Sequence, residues 1–411
     1  MKKLVSLLLA VLMIAGCFLF VSCDKEEAKD TFKLGVVCLH DEKSTYDLNF
    51  IEAVKRAQKD LGLTDAQVIF KKNIPESNAC YEACADLVDQ GCDVIFANSF
   101  GHESYVLKAA KEFKDVEFCH ATGTTAHTEK LDNFHNAFAS IYEGRYLAGI
   151  AAGLKLKEMM AADATVVPKI GYVGAFTYAE VISGYTSFYL GVKEIVPEVT
   201  MEVQFTGSWY DEIEEKNAAT ALIQNGCVLI SQHADSMGAP SACEERGIPN
   251  VSYNGSTAAS CPNTFIVSSK IDWTPYFKLI CEAAQKGEKI PTDYTGTIET
   301  ASVALTEVNE KGAAKDTQKT IDSYKAQLVA GTRDVFETSS FTVTVTDTTN
   351  KNATTDENGH LTSYMADVDS DEAYAADTEV VEEGVFEESK YRSAPYFDLQ
   401  IDGITLLNAK F

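Results

Sequence analysis

The amino-acid sequence predicts an α/β protein of two similar lobes, each a parallel sheet flanked by helices, on three observations. First, the chain repeats itself: Leu87-Val-Asp-Gln-Gly-Cys-Asp-Val-Ile95 returns as Leu222-Ile-Gln-Asn-Gly-Cys-Val-Leu-Ile230, and Phe32-Lys-Leu-Gly-Val-Val37 as Pro168-Lys-Ile-Gly-Tyr-Val173. Second, each copy is a short apolar strand, a helical stretch, and a helix end carrying Gly before another strand. Third, strands alternate with helices of roughly 10–15 residues, the pattern of parallel sheets. Two such lobes leave a cleft between them, and clefts facing the carboxyl ends of parallel strands bind small molecules.

The first lobe reads in order as a strand at 33–38, a helix at 50–61 with Ile51, Val54 and Leu61 on its apolar face, and a strand at 68–70. A helix at 79–90 stopped by Gly91 follows, then strands at 94–97 and 116–119 joined by a helix at 104–113. Residues 142–157 form a helix whose Gly144, Gly149 and Gly153 let another element approach closely, at up to about 1 kcal/mol each in helix propensity. The second lobe repeats the order: a strand at 170–173, a helix at 179–195 stopped near Pro197, a strand at 200–205, and a helix at 211–224 with Asp211 as N-cap or first-turn acid. A strand at 228–231, a helix at 239–246 and a strand at 251–253 complete it. Residues 273–286 read as a helix crossing back to the first lobe. Beyond residue 292 the pattern changes: Phe341-Thr-Val-Thr-Val-Thr346 reads as an edge strand, Asp356-Glu-Asn-Gly359 as a turn, and 397–407 as a final strand or two.

Composition and the amino end narrow the function. The chain has 411 residues and a formal net charge of -26, which argues against a nucleic-acid partner, because phosphate binding needs clustered Lys and Arg. Lys2-Lys3 followed by the apolar run 4–21 reads as an export signal. Phe20-Val-Ser-Cys23 has the form of a lipobox whose Cys becomes a lipid anchor. Ile14-Ala-Gly-Cys17 is the alternative, but would leave an exposed apolar stub. Either anchor places the protein on the outer face of a cell membrane. Of eleven Cys, nine lie beyond the signal; an odd number without a CxxC pair reads as free core thiols rather than a disulfide framework.

The cleft is expected to be lined by residues just after each strand. In the first lobe these are His40, the Ser44-Thr-Tyr-Asp47 segment with Tyr46, Asn98-Ser-Phe-Gly101, and the turn at His120 and Ala121. In the second they are Phe176, Trp209-Tyr-Asp211, Gln232-His-Ala-Asp-Ser236 with His233 and Asp235, and Asn254; Asp272 lies where the chain crosses back. The repeat sets Asn98 opposite His233. Aromatic, amide, imidazole and carboxylate groups together suit a flat heterocycle with polar edges; base–aromatic stacking is worth about 1–3 kcal/mol per base, against roughly 8 kcal/mol for a micromolar ligand. Bland alternatives stand beside these readings: Tyr46 as a core or capping residue, Trp209 as a hydrophobic staple, His120 and His233 as ordinary hydrogen-bonded histidines. Two His and Asp235 are suitable metal ligands, but no HxH or HExxH spacing occurs, so neither metal nor cofactor is expected. There is no GxSxG, P-loop or GxGxxG after a strand, so no enzyme is expected. Glu143-Gly-Arg145 offers a buried carboxylate–guanidinium pair, for which a structural role at the lobe interface is expected.

The lipobox, Glu143-Gly-Arg-Tyr-Leu-Ala-Gly149, Ser208-Trp-Tyr-Asp211 and Gln232-His-Ala-Asp-Ser236 resemble, in order, motifs of the basic membrane protein family, the substrate-binding lipoproteins of ABC transporters. The resemblance covers about residues 33–290. It implies the type I periplasmic-binding-protein fold, two Rossmann-like lobes with a hinge. Phe118-Cys-His-Ala-Thr-Gly123 is similar to the subgroup associated with adenine-like purine bases. By this resemblance Tyr46 and Trp209 match the aromatics that sandwich the base, Asn98 and the His120–Ala121 turn match its edge, and Asp235 matches a second-lobe pocket position. The expected organisation is a signal at 1–23, a first lobe at 32–160 with 272–290 crossing back, a second lobe at 161–271 with part of 291–345, and an acidic, partly β extension at 346–411. The expected function is capture of a purine base or nucleoside by a monomeric, lipid-anchored receptor and delivery to an ABC permease. A receptor that feeds a sensing system, and a surface adhesin or structural lipoprotein, are the alternatives.

Overall fold

Why the repeat exists is visible at two glycines in the computed structural model, which describes residues 32–368 and 375–409. A Cβ on Gly35 would lie 2.9 Å from Leu87 Cδ1, and one on Gly171 would lie 3.0 Å from Leu222 Cβ and 2.7 Å from Ile230 Cδ1. Each repeated Leu seats its helix on the bare backbone of its lobe's first strand. Each repeated helix then turns through Gly91 (φ 76°) or Gly226 (φ 91°), a left-handed conformation that other residues resist, into the next strand.

In the first lobe β1 (Leu34–Val37), β2 (Val68–Lys71), β3 (Val94–Ala97), β4 (Glu117–Ala121) and β5 (Phe134–Ala139) alternate with α1 (Thr45–Leu61), α2 (Asn78–Asp89), α3 (Glu103–Glu112) and the short α4 (Ala126–Glu129). Helix α5 (Ile141–Ala162) leads to the second lobe: β6 (Lys169–Gly174), α6 (Ala179–Ile195), β7 (Thr200–Phe205), α7 (Glu212–Gln224), β8 (Ile230–Gln232), α8 (Gly238–Arg246), β9 (Asn250–Tyr253) and β10 (Phe265–Ile271). The chain returns through α9 (Thr274–Lys286) and β11 (Asp293–Gly296), crosses again to β12 (Val303–Leu305), and continues into α10 (Thr317–Val329).

The first sheet runs β2-β1-β3-β4-β5-β11, all parallel. The second runs β7-β6-β8-β9-β10-β12, parallel except for β12. In both, the strand order reverses beside the first strand, the switch point where such sheets hold ligands. The crossing-back helix is anchored by Trp273, which is buried and stacks on Phe50 of α1 at 4.5 Å. The glycines of α5 do admit a neighbour: a Cβ on Gly149 would meet Phe188 O of α6 at 2.2 Å.

Several expectations are corrected. Helix α1 starts at Thr45 rather than Phe50, because the Ser44 side chain accepts the Asp47 amide and caps it. Strands β5 and β10 were not foreseen. The alternating Phe341–Thr346 is extended but is not a ladder strand: Phe341 and Val343 are buried, and its backbone bonds go singly to Gly359 and Asp402. The Asp356–Gly359 turn does join a hairpin, Ala353–Thr355 with Leu361–Ala366. The carboxyl-terminal segment is partly β and is built into both lobes. Ile404–Leu406 adds a parallel strand to β7, Phe397 stacks on Phe336 and meets Phe386 edge-on in the core, and Ser393 N–H reaches Asp293 of β11 at 2.6 Å.

The nine described cysteines are all buried thiols. Among the described residues no helix is long and apolar enough to cross a membrane. Cys17, Cys23, the rest of the expected signal, the following tether and six residues of the acidic stretch lie outside the described residues.

Candidate functional site

A cavity of about 370 Å³, its open mouth included, lies between the lobes at both switch points. The first lobe contributes Leu39 and His40 after β1, Tyr46 and Asp47 from the first turn of α1, Ser99 and Phe100 after β3, and Thr122 after β4. The second contributes Glu180 from the first turn of α6, Trp209 after β7, His233 and Asp235 after β8, and Tyr253 at the end of β9. Each lobe thus contributes two large aromatics, Tyr46 and Phe100 from the first and Trp209 and Tyr253 from the second, with hydroxyl, imidazole and carboxyl groups among them.

On the first-lobe wall the buried Asp47 organises the loops. Its Oδ1 accepts from the His40 amide at 3.1 Å and from Asn98 Nδ2 at 2.8 Å, and its Oδ2 faces His40 Nδ1 at 3.5 Å. Burial alone would raise this carboxyl; the hydrogen bonds from His40, Asn98 and Ser44 outweigh it and hold the group below its usual range. Asn98 Oδ1 takes the Leu39 amide, and its carbonyl takes the Tyr46 hydroxyl at 2.5 Å. The other hydroxyls of this wall also spend their protons on the protein, Ser99 on Glu76 and Thr122 on the Ala121 carbonyl.

The second-lobe wall is backed by Arg145 of α5, which is 1% exposed. Its guanidinium donates to Gln232 O at 2.9 Å and to His233 Nδ1 at 3.1 Å, and lies 3.4 Å from the centre of the Tyr253 ring. His233 Nε2 then faces Glu180 Oε1 at 3.4 Å. Burial, with the Arg145 charge adding to it, holds His233 below the usual imidazole pKa, so the ring is neutral at pH 7. Burial and the neighbouring acids Glu215, Asp47 and Glu180 push the Asp235 carboxyl well above the carboxylate range. Trp209 packs edge-on to Phe176 at 4.9 Å and near Tyr178 at 5.9 Å. Glu143 does not pair with Arg145: it receives the Ile298 amide at 3.4 Å, and burial raises it to about 7.

The lobes touch across the cavity. Phe100 and Tyr178 rings approach to 5.0 Å, His40 and Tyr210 to 5.4 Å, and Asn49 Nδ2 donates to Ile271 O at 2.6 Å.

Of the residues expected at the site, Tyr46, Trp209, His233 and Asp235 line the cavity. Asn98 stands behind it, as the support of Tyr46 and Asp47. His120 is fully buried, with Nε2 against Ser99 O at 2.6 Å, and Ala121 is buried beside it; the wall there is Thr122. The equivalence of Asn98 and His233 holds in the backbone, where their amides donate to Val37 O and Val173 O. Asp211 is outside the cavity lining, because its carboxylate caps α7 through the Ile213 and Glu214 amides. Asn254 is buried behind β9 at φ 61°. Asp272 lies away from the cavity, paired with Arg56 at 3.0 Å. Glu180 and Tyr253 were missed as candidates; extending the strand-end rule to the last residue of a strand and the first turn of the next helix finds both. Among the described residues no group of three or more His, Cys, Asp or Glu is placed to hold a metal ion.

A family model described as Bmp, "ABC transporter substrate-binding protein PnrA-like", matches residues 37–332. The chain is 31% identical over 228 residues to a purine-binding protein of Brucella abortus, covering 54% of this chain and 61% of that one. It is 29% identical over 249 residues to a putative ABC transporter glucose-binding protein, TsgA13, of Haloferax volcanii, covering 61% and 60%. The matches therefore span about three fifths of these relatives. Among solved structures, an ABC transporter solute-binding protein of Aeropyrum pernix superposes with a TM-score of 0.63 at 17% identity, over 77% of this chain and 94% of that one.

Proposed function

Because the chain belongs to the Bmp family of ABC-transporter substrate-binding proteins, we propose that it captures a purine base or nucleoside in the interlobe cavity and hands it to an ABC permease. Such receptors work outside the cytoplasm, and we place this one on the outer membrane face, held by lipid on Cys23 or, alternatively, Cys17, and acting as a monomer. The observation that carries the ligand class is the pairing of Tyr46 and Trp209, one from each lobe, around an edge of carboxylates and imidazole. A flat heterocycle gains stacking from the rings and hydrogen bonds from the edge. The relative named for purine binding supports the same class.

Calorimetry on residues 24–411, unfolded and refolded to strip carried ligand, tests this with adenine, guanine, hypoxanthine, adenosine, guanosine, inosine and glucose. Micromolar or tighter binding of a base or nucleoside is the expected result. Binding of glucose alone, or silence across the panel, overturns the purine assignment.

A further inference from the structure

The first-lobe wall of the cavity has a hydrogen-bond polarity. The Tyr46, Ser99 and Thr122 hydroxyls all donate into the protein, so they present lone pairs to the cavity. Glu180 and Asp47 add carboxylates, burial raises the pKa of the third acid, Asp235, and no Lys or Arg lines the space. Arg145 is buried behind His233 and fixes that ring's proton. A guanidinium has only donors, so Nδ1 must be the acceptor, and the one proton of the neutral imidazole sits on Nε2 and points at Glu180. Glu180 is thereby held by a donor on one oxygen, with the acceptor capacity that remains open to the cavity.

Resting on the purine reading above, we propose that Glu180 is a specificity-determining residue that accepts an N–H of the bound base, and that Arg145 is its positioning residue, acting through the His233 tautomer. The ligand this wall selects carries N–H donors along its edge and no negative charge. Phosphorylated nucleosides are rejected, because their phosphates would face carboxylates with no cation to meet them.

Two measurements test this apart from the purine assignment. Long-range ¹H–¹⁵N spectra of the wild-type protein report the His233 tautomer without ligand. A proton on Nε2 is expected, with loss of that preference in Arg145→Met; a wild-type ring protonated on Nδ1 overturns the relay. Calorimetry with adenine, guanine and hypoxanthine then compares wild type with Glu180→Gln, whose amide keeps the size and swaps one acceptor for a donor. The base that wild type binds best is expected to weaken on the order of tenfold or more, the scale of a hydrogen bond to a charged group. Equal affinity of the two proteins, or wild-type binding of adenosine or guanosine monophosphate as tight as that of the base, overturns the proposal. A wild type that binds no purine while His233 keeps its Nε2 proton fails the purine reading and leaves the relay standing.

Discussion

Thr45 of the first lobe donates twice to the carbonyl of Asp235 in the second, from its amide at 3.2 Å and its hydroxyl at 3.0 Å. This pair spans the mouth of the cavity and ties the first turn of α1 to the loop after β8. Lobe closure and the placing of two cavity residues, Tyr46 and Asp235, are therefore one event.

Thr45→Val keeps the shape of the side chain and removes the hydroxyl donor. A net hydrogen bond is worth about 0.5–1.5 kcal/mol, so ligand affinity should fall by roughly two- to tenfold. Scattering of the ligand-free variant should show a larger radius of gyration than wild type. Unchanged affinity and radius would mean the amide alone carries the latch.

Trp209→Ala removes the second-lobe ring. The ring is only partly buried, against Phe176, Tyr178 and His233 at the edge of the core, so the melting temperature should fall only modestly. Base affinity should drop at least tenfold, the scale of one stacked base. Calorimetry beside a thermal melt separates the two effects.

Glu388 is fully buried, accepting from the Ser183 hydroxyl at 2.5 Å and from Ser389, and burial raises it to about 7. Its folded pKa exceeds the ordinary carboxyl value, so the native state binds more protons than the unfolded chain between those two pH values. Its ionisation therefore costs stability as pH rises toward 7, by an amount on the order of a few kcal/mol. Glu388→Gln never ionises. Relative to wild type it should gain melting temperature as pH rises from 5 to about 7, and the gain should level off above that. A difference that stays flat with pH would remove Glu388 as the cause.

Gly149→Ala places a methyl where the Phe188 carbonyl already stands, and Gly191→Ala does the same against Tyr146 O at 2.1 Å. Backbone of two packed helices is not free to yield, so each variant should lose at least about 1–3 kcal/mol. Denaturant melts should show both losses, whereas Gly287→Ala, with open space around it but φ 66°, probes backbone strain alone.

The lobes were legible because their signals are local and repeated. Gly91 and Gly226 end helices before apolar strands, and the segments 94–97, 179–195 and 200–205 have the bounds read from the pattern. Strand β5 was hidden by its polar interior. His135 and Asn136 look like loop residues until their partners, Glu117, the Pro291 carbonyl, Glu103 and the Ala126 amide, come from distant positions in the chain. The Phe341–Thr346 alternation misled for the opposite reason: its period is right, but its neighbours supply single bonds rather than a ladder. At the site, proximity to a strand end found Tyr46, Trp209, His233 and Asp235. It also offered Asp211 and Asp272, whose carboxylates the first backbone amides of α7 and Arg56 had already claimed, and nothing local marks that competition.

The strand at Ile404–Leu406 ties the second sheet to a segment far from it in the sequence. Asn408 holds Phe205 by both its amide and its carbonyl, across 203 residues of sequence. During synthesis β7 therefore keeps an unpaired outer edge until its neighbour, some 203 residues further along, has been made.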